Sequence, residues 1–227
     1  YAVRGLALQN LDIEDSIIAT LESLANNDPH SQVRGAALAK LAETSDTKYL
    51  AVAENAIKND KSYEVAAAGL AMLNNLDKAK GLAYAADLEN EDNSAILAAV
   101  GDIYMESMDA QYLPFFEKNW ERVEGFSAMS FIESYSRLVV AQDMPVIMNS
   151  AQKLKNIAIN MSQSPWRRFA ATKAINDLHG TLYQYANDKT QVDRVEEVKA
   201  NDDKLIQMIE QIKAIEINGQ LKGFYTN

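Results

Sequence analysis

One four-position pattern recurs along the chain and constrains its fold more than any other feature. A β-branched residue is followed by a small residue four positions on, an aliphatic one five on and a leucine eight on. The pattern reads Val3, Ala7, Leu8, Leu11 in VRGLALQNL, then Val33, Ala37, Leu38, Leu41 in VRGAALAKL, then Val65, Gly69, Leu70, Leu73 in VAAAGLAML. The copies are offset by 30 and 32 residues, and looser ones follow at Ala95, Ala99, Val100, Ile103 and at Ala170, Ala174, Ile175, Leu178. Such spacing gathers the apolar positions on one face of a helix. The Ala or Gly at the second position lets a neighbouring helix approach closely. A sequence that resembles itself at this period builds one supersecondary unit per period, and each unit seals the next one's apolar side.

Other amphipathic stretches lie between the copies: Ile17, Ile18, Leu21, Leu24, and Leu50, Ala53, Ile57. Each period therefore holds two antiparallel helices. Asp28-Pro29, Asp143 before Met144-Pro145, and Ser164-Pro165 each place a capping residue beside a proline suited to a first helical turn. Asn26-Asn27, Asn59-Asp60 and Asn74-Asn75 mark the ends of preceding helices, and Pro114 is a candidate kink. No long stretch alternates apolar with polar residues, so strands are not expected.

The second half is less regular. Helices around residues 112–123 and 129–140 carry Phe115, Phe116, Trp120, Phe131 and Tyr135, with Phe126 between them. A last helix is expected from Thr190 to Ile217, with Leu205, Met208, Ile209, Ile212 and Ile215 as its apolar stripe and Gly219 as its stop. The whole reads as all-α, a single helical domain over residues 1–227. Residues 1–108 form regular pairs and residues 109–227 more divergent helices. The chain opens at Tyr1, within a helical pattern and without an initiator Met, which predicts a piece of a longer protein or a processed product. The apolar residues Val3, Leu6 and Leu11 then form a face expected to dock on an upstream domain.

Net charge narrows the partners. At −10, the chain is a poor ligand for phosphate backbones, so nucleic acid is not expected. No apolar run approaches the length of a membrane span. There is no cysteine, which removes disulfides and thiolate chemistry and suits both the cytosol and a bacterial envelope.

Catalytic patterns are missing from the sequence. The two histidines, His30 and His179, have no second His at ligand spacing and are expected in cap or surface roles. The acidic run Asp87, Glu89, Glu91, Asp92 lacks the glycine and closing glutamate of a calcium loop and reads as a solvated connection. Ser127 follows Gly125, but Met129 stands where a nucleophile elbow needs glycine. The nine glycines form no phosphate-binding cluster. One charge feature stands apart: from Met144 to Asn176 there is no acid, while Lys153, Lys155, Arg167, Arg168 and Lys173 all fall there. These five are candidates for an anion-facing or interdomain-contact patch, or for ion pairs with acids on neighbouring helices.

The segments DPHSQVRGAALAKLAE and YEVAAAGLAML resemble HEAT repeats. The later stretch SPWRRFAATKAINDLHGTL, with the aromatic pairs before it, resembles the C-terminal helical domain of bacterial gluzincin zinc aminopeptidases of the aminopeptidase N and alanyl aminopeptidase type. The resemblance implies an α-α superhelix of stacked antiparallel HEAT-like pairs. It also implies a non-catalytic domain that packs on a zinc-containing catalytic domain of the same polypeptide and encloses a chamber for peptide substrates. The family's G-x-M-E-N and HExxH motifs are absent here, so no catalytic residue, metal ligand or cofactor is carried over. The alternative is a free-standing HEAT-repeat scaffold for a protein partner. A HEAT-like lyase or DNA glycosylase fits less well, given the acidic charge and the lack of a clustered acid–base pair.

Overall fold

The copies of the pattern that begin at Val33 and Val65 lie on the second helices of two successive helical hairpins. In the computed structural model the described residues are 15–188 and 193–216, and they are all-α with no strand. Their eleven α-helices are α1 Asp15–Asn27, α2 Ser31–Ala42, α3 Leu50–Asn59, α4 Tyr63–Leu76, α5 Lys78–Leu88, α6 Ser94–Ser107, α7 Leu113–Asn119, α8 Ser127–Val140, α9 Met144–Ile159, α10 Pro165–Asn187 and α11 Val195–Glu216. The chain divides into two compact units, residues 1–104 and 105–227, with the boundary inside α6.

In the first unit α1 packs on α2 and α3 packs on α4; α4 also packs on α2 and α5. The pattern positions supply the seal. Ala37, Leu38 and Leu41 of α2 and Val65, Leu70 and Leu73 of α4 are all fully buried. Leu21 of α1 and Val52, Ala53 and Ala56 of α3 complete the core. The small fourth-step residue matters most in α4. A Cβ at Gly69 would sit 2.9 Å from Ala56 Cβ and 3.0 Å from Ala53 O, so only glycine lets α3 and α4 lie this close.

A polar clip reinforces the stack. Arg34 on α2 donates Nε–H to Asp60 Oδ2 at 2.6 Å and Nη2–H to Asp60 Oδ1 at 2.8 Å. Its third nitrogen, Nη1, donates to the Asp28 carbonyl at 2.8 Å. Both side chains are largely shielded, at 15% and 11% exposure, so the fork is held in a poorly solvated seam. The guanidinium holds the Asp60 carboxyl below the usual carboxylate range.

In the second unit α10 is the central helix, packing on α8, α9 and α11. Ala170, Ala174, Ile175 and Leu178, the last copy of the pattern, are all buried along it. The aromatic residues form one cluster. Phe116 lies 4.9 Å from Phe131 and 5.8 Å from Tyr135 between ring centroids, and Trp120 meets Tyr135 edge-on at 5.9 Å and 81°. These edge and tilted contacts match the ring quadrupoles.

The helix boundaries differ from the expected ones where local chemistry is subtler than the pattern. Ser164 and Asp143 cap α10 and α9 as expected, accepting from Arg167 N–H and Val146 N–H. At α2 the cap is His30 instead, and Asp28 accepts from the His30 N–H at 2.8 Å in the turn before it. Pro114 makes no kink; it sits in the first turn of α7, where its missing N–H costs nothing. The first helix of the divergent half ends at Asn119, short of residue 123, and the chain turns there with Arg122 N–H and Val123 N–H both donating to the Asn119 carbonyl, at 2.9 Å and 3.1 Å. The last helix starts at Val195, five residues late, and Ile215 is 45% exposed rather than part of the sealed stripe. Gly219 lies outside the described residues.

Candidate functional site

Four of the five cations from the acid-free window are spread over three structural settings, and each has a local partner. Lys153 on α9 reaches Glu117 on α7 at 2.6 Å. Lys173 pairs with Asp177 one turn along α10 at 2.7 Å, and that bond raises its pKa above the ordinary lysine value. Arg167 and Arg168 are 9% and 2% exposed, so neither presents charge at the surface. Arg167 Nη2 donates to the Val123 carbonyl at 2.8 Å, and Arg168 Nε to the Ala158 carbonyl at 2.9 Å. The fifth cation, Lys155, donates to Gln211 of α11 and ties α9 to the last helix. The window is acid-free along the chain but not in space, because Glu117 and Asp177 come from outside it.

Lys153 belongs to a half-buried polar relay. Glu117 Oε1 also accepts from the Tyr135 hydroxyl at 3.1 Å. Burial pushes the Tyr135 hydroxyl well above the usual tyrosine range, and the neighbouring Glu117 charge acts in the same direction. The relay joins α7, α8 and α9 beside the aromatic cluster. Its members are 18 and 36 residues apart in sequence, so no spacing rule could have found them.

His30 caps α2, with its side chain 79% exposed. His179 is half-buried within α10, and its Nδ1 lies 2.6 Å from Oδ1 of the buried Asp202 on α11. This pair ties the last two helices together. Asp87 lies in the last turn of α5, and Glu89 accepts a bond from the Tyr104 hydroxyl at 3.1 Å across the first unit. Ser127 opens α8, where its carbonyl accepts from Ser130 Oγ at 3.1 Å. The docking face of Val3, Leu6 and Leu11 lies outside the described residues. Among the described residues no group of three or more His, Asp or Glu is arranged to hold a metal ion. No described helix is long and apolar enough to cross a membrane.

The first unit carries an open groove of about 760 Å³ along α2 and α4. Gly35, Ala36, Ala39 and Ala68 line it together with Lys40, Glu43 and Glu64. Side-chain stature is what carves it, because the small residues leave the two helix backbones accessible.

No protein-family model and no curated protein matches the chain.

Proposed function

We propose that this chain is a packing domain without catalysis of its own, the C-terminal HEAT-like helical domain of a bacterial zinc metallo-aminopeptidase. One observation carries the reading. All four pattern positions of α4 and the last three of α2 are turned into the core, and α2 packs on α4, which supports a reading as stacked hairpin repeats. Stacked hairpins of this kind form a superhelix that presents long surfaces. On this reading, Lys153, Lys155 and Lys173 contribute to contacts with the catalytic domain or the peptide chamber. Arg167 and Arg168 act differently: they fasten the scaffold by bonding to backbone carbonyls at loop and helix ends. Zinc belongs to the catalytic domain, not to these residues.

The test is to capture the native gene product with antibodies raised against this chain. The captured protein is expected to hydrolyse aminoacyl anilides, to lose that activity to a zinc chelator, and to regain it with zinc. Its coding sequence is expected to contain HExxH upstream of the Tyr1 codon. A captured polypeptide without that motif and without peptidase activity overturns the proposal. The groove on α2 and α4 then favours a second reading, a free-standing scaffold whose partner lies over Gly35 and Ala39. In that case the captured material contains a stoichiometric second protein.

A further inference from the structure

We infer that His179 is a phosphoryl-acceptor site, its Nε2 atom taking a phosphoryl group from a donor of the phosphoramidate class. The chain has two histidines, and the surroundings of this one direct a ring nitrogen outward. Its Nδ1 lies 2.6 Å from Oδ1 of Asp202, whose side chain is only 9% exposed. Among the described residues Asp202 has no other side-chain hydrogen bond or ion pair, so its charge is aimed at this single ring.

A carboxylate accepts hydrogen bonds and donates none, so the proton of the neutral ring sits on Nδ1 and the lone pair on Nε2. Tyr183, one turn along α10, holds the ring from a second side, with centroids 6.0 Å apart and planes at 58°. Nε2 bonds to no described residue and is not sealed from water: the side chain is 30% exposed while its Nδ1 is turned to the buried carboxylate. The surface beside it is open, since a Cβ added at Gly180 would meet nothing within 4 Å. A fixed imidazole with a buried carboxylate behind it and an outward lone pair in front is the arrangement of an activated nitrogen nucleophile.

Two other uses of such a nitrogen lack their remaining parts. A metal ion needs further ligands, and among the described residues no group of three or more His, Asp or Glu is gathered. Acid–base work on a bound substrate needs an enclosing cavity, and the surface at Gly180 is open. Accepting a phosphoryl group needs only the lone pair, because the donor brings the rest. In that step the Nε2 lone pair forms an N–P bond while the donor's own P–N bond breaks. The leaving nitrogen, already protonated in the donor, takes the electron pair and departs as ammonia. The ring becomes a cation that keeps its Nδ1–H, and Asp202 stabilises it as an ion pair.

The inference does not depend on the aminopeptidase reading. It is tested by incubating the full 227-residue chain with potassium phosphoramidate at neutral pH. Phosphoryl gain is followed by intact mass, localised by peptide mapping under alkaline conditions, and assigned to a ring nitrogen by phosphorus NMR. His30 is the internal control. Its side chain is 79% exposed, and its Nδ1 stands 3.3 Å from Asp28 Oδ1, which already accepts from the His30 backbone N–H. If accessibility alone set the rate, His30 would react first. Instead His179 is expected to react about tenfold faster than His30, at Nε2, because its lone pair is fixed and the forming cation is stabilised. Asp202→Asn is expected to erase that lead, since an amide can donate to Nδ1 and move the lone pair off Nε2. Ellipticity checks that the variant keeps its helices, and the comparison of the two histidines in the parent chain needs no variant. Four results would overturn the proposal: no phosphoryl group at His179, His30 reacting as fast or faster, the phosphoryl group on Nδ1, or an unchanged lead for His179 in folded Asp202→Asn.

Discussion

Arg34 uses all three of its guanidinium nitrogens on two turns that follow neighbouring helices. Replacing it with Met keeps the stem and removes the fork, leaving Asp60 with its carboxylate shielded and without its cation. The expected loss is about 2 kcal/mol, read as a lower urea midpoint with an unchanged slope. The pH dependence has a definite sign. The Asp60 pKa is lowered in the folded state, so its contribution is fully present above the unfolded carboxylate value of about 4. It is lost as pH falls through the folded value. Asp60→Asn should therefore show its largest deficit near neutrality and converge with the parent in acid, when urea midpoints are compared from neutral to strongly acidic pH. Two glycines give opposite expectations. Gly69→Ala pushes a methyl into Ala56 and the Ala53 carbonyl and should cost about 1–3 kcal/mol. Gly180→Ala meets nothing within 4 Å inside α10 and should stabilise by about 0.5–1 kcal/mol. Thermal melts of the two variants check both signs.

At the scale of the helix, the hydrophobic rhythm was the legible part. Val65, Gly69, Leu70 and Leu73 were readable as one buried face because steps of three and four survive any tertiary context. The caps at Asp143 and Ser164 were readable because a short polar side chain next to proline has few other uses. Ser164→Ala is expected to lower stability by about 1 kcal/mol through the lost acceptor for Arg167 N–H, measured by denaturant titration. The polar ties were not legible. Arg34 and Asp60 are 26 residues apart, and Lys153 and Glu117 are 36 apart, so their pairing follows from how hairpins stack, not from any local motif. Arg167 and Arg168 looked like surface charge because a sequence shows formal charge and not depth. Their burial is tolerated because backbone carbonyls at Val123 and Ala158 receive the N–H groups. The partner of His179 was hidden for the same reason, since the buried carboxylate of Asp202 arrives from α11.

For the molecule as a whole, the two units have different characters. Residues 1–104 rest on small and aliphatic residues in a repeated register, while residues 105–227 rest on a long central helix and an aromatic cluster. The regular unit carries the repeated apolar register and the groove; the aromatic unit carries the polar relay. Function, on the proposed reading, lies in the surfaces these units offer to a neighbouring domain.

The aromatic cluster also sorts the chain spectroscopically. Both tryptophans, Trp120 and Trp166, fall after residue 104, so indole emission is blind to the first unit. Trp120 rests against Tyr135 while Trp166 is 53% exposed, so a red shift on unfolding will come mainly from Trp120 leaving its ring partner. Ellipticity at 222 nm, by contrast, sums over every helix (that wavelength being about where amide absorption in helices is read). Arg34→Met should therefore move the ellipticity transition further than the indole transition. Coincident movement of the two would mean that both units melt in a single cooperative event.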